Sequence, residues 1–108
     1  MGAMDEPIVG VKLLLVYDVE NDNLQDYYQF VMGSYIPQMQ AMGLQMSEAW
    51  QTAYGNAPNR LIGFVCEEQA TMNDLLQNEK WQDLNNQLKQ FVTDFSYKVI
   101  PYRGGFQI

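Results

Sequence analysis

Hydrophobic and polar positions change their period several times along this chain. Residues 8–19, "IVGVKLLLVYDV", are apolar on both alternating sets: Val11, Leu13, Leu15, Tyr17 and Val19 on one, Leu14 and Val16 on the other. A period of two with both sets apolar predicts a strand covered on both faces. "ENDN" ends it, with Asn21 or Asp22 placed to cap a helix. Leu24, Tyr28, Val31, Tyr35, Met39 and Met42 then recur at steps of three or four, a single helical stripe that Gly43 stops. Within it stand Gly33-Ser34 and Pro37. Proline removes a helix donor and disfavours helical geometry at Ile36, so a bend or division beside Tyr35 is expected.

Strict alternation returns at residues 45–54, with Met46, Glu48, Trp50, Thr52 and Tyr54 against Gln45, Ser47, Ala49, Gln51 and Ala53. "GNAPN" is a loop of turn formers, and "RLIGFVCE" from Arg60 is a returning strand, so the two runs predict a hairpin. Thr71 with Asp74 has the spacing of a capping pair ahead of Leu75-Leu76, giving a short helix. Asn78 caps a longer one, whose Trp81, Leu84, Leu88, Phe91, Val92 and Phe95 keep one-sided spacing to about residue 95. The closing "YKVIPYRGGFQI" is a strand interrupted at Pro101 and Gly104-Gly105, and Pro101 argues for an edge or a bulge.

Strand, helix, strand, strand, helix, strand is the split βαβ order: an α+β, ferredoxin-like βαββαβ fold with a four-stranded antiparallel sheet and both helices on one face. The other face would be bare. Leu14 and Val16, Leu61 and Val65 against Ile62 and Phe64, and Ile100 against Val99 make the sheet apolar on both sides. Soluble monomers rarely leave such a patch in water. Sheet-to-sheet packing in a twofold homodimer would bury it on both copies.

Size and composition fit this picture. A chain of 108 residues makes one domain, able to bury roughly 65% of the surface its unfolded form exposes. We take residues 5–108 as that domain and set aside 1–4, where Gly2-Ala3-Met4 resembles a cloning scar. "MGAMDEP" lacks the basic and apolar regions of a secretory signal, and no apolar run is long enough to span a bilayer. The lone Cys66 forms no internal disulfide, which suits a reducing cytoplasm or simply a fold that needs none. Six basic against thirteen acidic residues give a net charge of −7, which opposes nucleic acid and anionic membranes as partners. There is no histidine, so the commonest metal ligand and general base are both missing. No metal site and no cofactor is read from the chain.

The candidate chemistry is aromatic. Tyr27, Tyr28, Met32, Tyr35, Met39 and Met42 are placed to line a cavity for a flat apolar ligand, and Tyr35, Met39, Trp50, Tyr17 and Tyr54 would line a pocket between sheet and helices for a modest apolar or aromatic one; ordinary packing, or for Trp50 the dimer interface, is the alternative. Glu48 is placed either to relay a proton or to sit solvated at a strand edge. Arg60 and Arg103 are the only arginines, able to hold an anionic or enolate oxygen through the planar fork. Arg60, beginning a strand, reads as a surface residue; Arg103 stands beside Gly104-Gly105, where backbone can approach a ligand closely. Cys66, with no base to activate it, reads as an inert buried thiol.

Three stretches resemble one superfamily. An aromatic followed by "YIP" and then "MG" is similar to the aromatic, "HxP", "PG" pattern of first helices in the dimeric α/β barrels. "NEKWQDLNNQL" resembles the second-helix start of NIPSNAP-like members, and "RLIGFVCE" before a short helix is also similar. The resemblance covers residues 8–103. It implies the ferredoxin-like domain and the dimer deduced above. Where some subfamilies carry a histidine two positions before the proline, this chain has Tyr35. The resemblance therefore points to histidine-independent relatives, including antibiotic-biosynthesis monooxygenases that act on aromatic polyketides without a cofactor.

Three functions stay open on these grounds. One is a small-molecule-binding domain. Another is a cofactor-free monooxygenase or isomerase with Tyr35 and Arg103 as weak catalytic candidates. The third is a structural or regulatory homodimer with no ligand.

Overall fold

The computed structural model describes residues 8–52 and 59–103. Four strands form one sheet: β1 (Ile8–Val19), β2 (Gln45–Gln51), β3 (Arg60–Cys66) and β4 (Val92–Arg103). Their order is β2-β3-β1-β4 and every neighbouring pair is antiparallel, the split βαβ sheet expected from the pattern. A short 3₁₀ turn (Asn21–Asn23) leads into α1 (Leu24–Phe30), a wide π turn (Val31–Tyr35) and α2 (Ile36–Ala41). After the hairpin come α3 (Gln69–Gln77) and α4 (Glu79–Leu88).

One face of β1 (Val11, Leu13, Leu15, Tyr17, Val19) is buried together with Ile62 and Phe64 of β3 under the helices. The opposite set, Leu14 and Val16 with Leu61, Val65 and Ile100, is only half-buried. The helices supply Tyr27, Val31, Tyr35 and Met39 from the first crossover, and Met72, Leu75, Trp81, Leu84 and Leu88 from the second.

The first helical stripe differs from the expected one by a residue. Tyr27 is buried and Tyr28 is exposed, so the inward set is Tyr27, Val31, Tyr35, Met39, at strict steps of four. In an ideal α-helix of 3.6 residues per turn each such step drifts by about 40°, and three steps would carry the stripe off the core. The wide turn absorbs that drift. Its signature is the Ile36 N–H bonded to the Val31 carbonyl, five residues back. Pro37, without an N–H, stands where an α-helix would need a donor to the Gly33 carbonyl. The expected division beside Tyr35 is this turn.

Other helix limits also shift. Neither Asn21 nor Asp22 caps by side chain, and α3 begins at Gln69 without a side-chain cap, placing Thr71 inside the helix rather than at its start. Asn78 does cap α4: its Oδ1 accepts the Lys80 N–H at 2.7 Å. That helix ends at Leu88, not near 95, and Val92 begins β4. Val92 and Phe95 satisfy helical spacing only by coincidence. Pairing of β4 along nearly the whole of β1, from Val19↔Val92 to Ile8↔Arg103, decides the segment instead. Asp94, with φ of 55°, takes the local kink where the pairing shifts register. Pro101 lies on β4 at the sheet's edge, as its missing donor requires.

Candidate functional site

Tyr35 and Tyr17 belong to two buried hydroxyl networks. The Tyr35 hydroxyl donates to Asn85 Oδ1 at 2.7 Å and accepts from Trp81 Nε1 at 3.2 Å, joining the first crossover to α4. Burial pushes its pKa far above the ordinary phenol range, with the Trp81 hydrogen bond acting weakly the other way. Tyr17 and Tyr27 share a hydrogen bond at 2.6 Å, their rings edge to face at 5.7 Å. Burial, reinforced by Tyr27, raises Tyr17 further still. These hydroxyls stay protonated in neutral solution and act as fixed dipoles. Met39 is fully buried beside them.

The Lys12–Glu48 pair organises the opposite, half-covered face. Lys12 on β1 reaches across β3 to Glu48 on β2, Nζ to Oε1 at 2.6 Å, while Trp50 Nε1 donates to Oε2 at 2.8 Å. Gly63 of β3 makes the crossing possible. A Cβ there would stand 3.0 Å from Glu48 Cγ and 3.1 Å from Ser47 Oγ. The Lys12 and Trp50 hydrogen bonds hold the Glu48 carboxyl below its ordinary range, so it is a settled carboxylate rather than a proton relay.

A groove opens where the first crossover leaves β2 uncovered. β2 is short and at the edge, its helix-side positions are Met46, Ala49 and Gln51, and a register shift between Met46 and Glu48 twists it. Tyr28, Met32 and Ile36, also four apart, form the helical wall; Met46 and Ala49 form the strand wall, with Trp50 at its rim and its indole turned to the opposite face, where it bonds Glu48; Val31, Arg60 and Ile62 lie at the base. The volume is about 290 Å³, near the lower end of the range of roughly 300–1,000 Å³ that small-molecule sites occupy. Among the described residues, five large hydrophobic side chains are exposed, and Tyr28, Met32 and Met46 of these five face this groove. A larger recess of about 530 Å³ at the other end of the sheet is edged by Glu67 and Glu68 and is more polar.

Arg60 is the charged residue of the groove, and the structure corrects its reading as a surface side chain. It is 8% exposed. Nη2 donates to the Tyr28 hydroxyl at 2.9 Å and Nη1 to the Asn59 carbonyl at 3.1 Å. The guanidinium lies 5.9 and 5.7 Å from the Tyr27 and Tyr28 ring centres. Asn59 is in turn clamped to β1: its side chain bonds both polar groups of the Val19 backbone, and its N–H donates to Asp18.

Of the residues singled out by sequence, the structure places Trp50 at the groove's rim with its indole on the opposite face beside Glu48, and Tyr17, Tyr35 and Met39 in the core behind the groove. Tyr54 lies outside the described residues. The Arg103 backbone pairs with Ile8 at the end of β4, away from the groove. Cys66 is buried, its thiol pushed up by burial and donating weakly to the Glu68 carbonyl. Sequence reasoning missed Asn85 and Met46, whereas Tyr27, Tyr28 and Met32 are among its cavity candidates. The steps of four from Tyr28 through Met32 to Ile36 mark the helical wall. Among the described residues no helix is long and apolar enough to cross a membrane, and no three potential metal-binding side chains converge.

Comparison with known proteins places the fold. No family model matches the chain, and no curated protein matches it. Solved structures do. A NIPSNAP family protein from Agrobacterium tumefaciens matches over 84% of this chain and 90% of its own, at 14% identity and a TM-score of 0.60. An uncharacterised NIPSNAP-like domain protein from Burkholderia xenovorans matches over 87% and 85%, at 15% identity and a TM-score of 0.61. A candidate antibiotic biosynthesis monooxygenase from Nitrosomonas europaea matches over 91% and 92%, at 10% identity and a TM-score of 0.63. The chain thus shares the ferredoxin-like α+β fold of NIPSNAP and monooxygenase-like structures, as its helix and strand patterns led us to expect.

Proposed function

We propose that this protein binds a small, largely apolar or aromatic molecule in the groove between α1 and β2. One observation carries the reading: Tyr28, Met32 and Met46, contributed by two separate elements, leave their apolar surface in water at the same place. Scattered exposed hydrophobics are ordinary, but a converging set around a concave surface marks a binding site. The Tyr28 ring gives flat contact, and two methionines adapt to irregular outlines. The test is an amide-resolved NMR titration with neutral bicyclic aromatics such as 1-naphthalenemethanol. Perturbations should gather on residues 28–36, 46–50 and 60–62; perturbations elsewhere, or none at millimolar ligand, would refute the assignment.

The half-buried strip of Leu14, Val16, Leu61, Val65 and Ile100 supports a homodimer packed through this sheet face, in which the Lys12–Glu48 pair would be enclosed. A cofactor-free oxygenase or isomerase is the second reading, favoured by the fold held in common with the Nitrosomonas protein. Oxygen consumption with hydroquinones and anthrones decides it; no rate above background leaves binding alone.

A further inference from the structure

Buried arginines are almost always matched by a carboxylate, because an unpaired charge in a low-dielectric setting costs several kcal/mol on the order of the loss when a buried pair is broken. Arg60 departs from that rule. Acids outnumber bases thirteen to six, yet among the described residues no carboxylate lies within ion-pair distance of its guanidinium. Its partners are neutral: one hydroxyl, one carbonyl and two ring faces. The Asn59 clamp and the Tyr27 and Tyr28 rings hold the fork in place at the base of an apolar groove. A fixed, desolvated cation without a counter-charge at the bottom of an aromatic-walled groove is complementary to a flat anion.

Building on the groove reading above, we infer that the ligand is an aromatic carboxylate, its ring lying among Tyr28, Met32 and Met46 and its carboxylate meeting the Arg60 guanidinium. The carboxylate would supply the missing charge and take the fork's remaining N–H groups as charge-assisted hydrogen bonds. The more voluminous recess near Glu67 and Glu68 repels the same ligand.

Calorimetry with 1-naphthoate and with 1-naphthalenemethanol, which keeps the ring but not the charge, tests this. Naphthoate should bind the wild-type protein at least tenfold more tightly than the alcohol. Arg60→Met should abolish the preference, so that the variant binds naphthoate and the alcohol equally, and Arg60→Lys should keep part of it. In the wild-type protein the Arg60 Nε–Hε resonance should move with the acid and not with the alcohol, a readout that needs no variant to fold. Equal affinity of acid and alcohol would overturn the inference and leave the groove standing, as would an acid preference that survives Arg60→Met. Binding of neither compound would overturn both.

Discussion

The Tyr35 hydroxyl and the Asn85 carboxamide meet at 2.7 Å inside the core, 50 positions apart in sequence, with the Trp81 indole closing the triangle from the same helix as Asn85. The contact locks the first crossover to the second. Removing the hydroxyl leaves Asn85 Oδ1 and the Trp81 N–H without their shared partner in a region water does not reach. Tyr35→Phe should therefore destabilise the fold by about 2–3 kcal/mol, seen as a lower midpoint in urea. A loss below about 0.5 kcal/mol would mean that the triangle contributes nothing net.

Glu48 makes stability depend on acid. Its carboxyl is held below the ordinary 4.5 by the Lys12 and Trp50 hydrogen bonds, so the folded state binds this proton less readily than the unfolded one. The contribution is fully present above the unfolded value and fades as pH falls through the folded one. Both side chains keep part of their surface in water, and the effect should be on the order of 1 kcal/mol or less. Denaturation curves at pH 7 and pH 3 check it: Glu48→Gln should be less stable than wild type at pH 7 and nearly equal to it at pH 3. A constant gap at both values would contradict the assignment.

The dimer rests on the half-covered strip. Leu61→Glu places a carboxylate in the middle of that strip, beside Val16 and across from Trp50 in the strand register. Sedimentation should show a wild-type dimer at micromolar concentration and a folded Leu61→Glu monomer. A wild-type monomer under those conditions would end the case for sheet-face packing.

Asn78 is the one capping side chain foreseen from sequence that the structure retains. Its Oδ1 holds the Lys80 N–H at the start of α4, which carries Trp81 and Asn85. Asn78→Ala should cost about 1 kcal/mol, and Asn78→Asp should keep most of the stability. Thermal unfolding of the two variants side by side separates the cap from a general effect of substitution.

What could be read from the chain, and what could not, follows from the range of the interactions involved. The alternation in β1 and the crossovers around a hairpin are local patterns, and they gave the sheet and its helices. The end of α4 was not local: Val92 and Phe95 fit a helix, and only their pairing with β1 places them in a strand. Tyr27 and Tyr28 exchanged roles because a helix with a wide turn does not keep the ideal period. The groove was harder still. Met32 and Met46 face one another only after the hairpin is in place, and Arg60 is drawn inward by an Asn59 clamp that reaches 40 residues back to Val19. Nothing near Arg60 in sequence announces that distant hold.

Gly63 has a further consequence. Because its strand position is bare, a cation from one neighbouring strand and an acid from the other meet over it, so three strands are laced by a bridge that ignores the ladder. Edge strands usually depend on one neighbour alone. Here β2, which supplies a wall of the groove, is tethered directly to the second strand away. Peeling β2 off the sheet therefore means breaking a contact with β1 as well as with β3, and the groove's outer wall is held by the middle of the sheet.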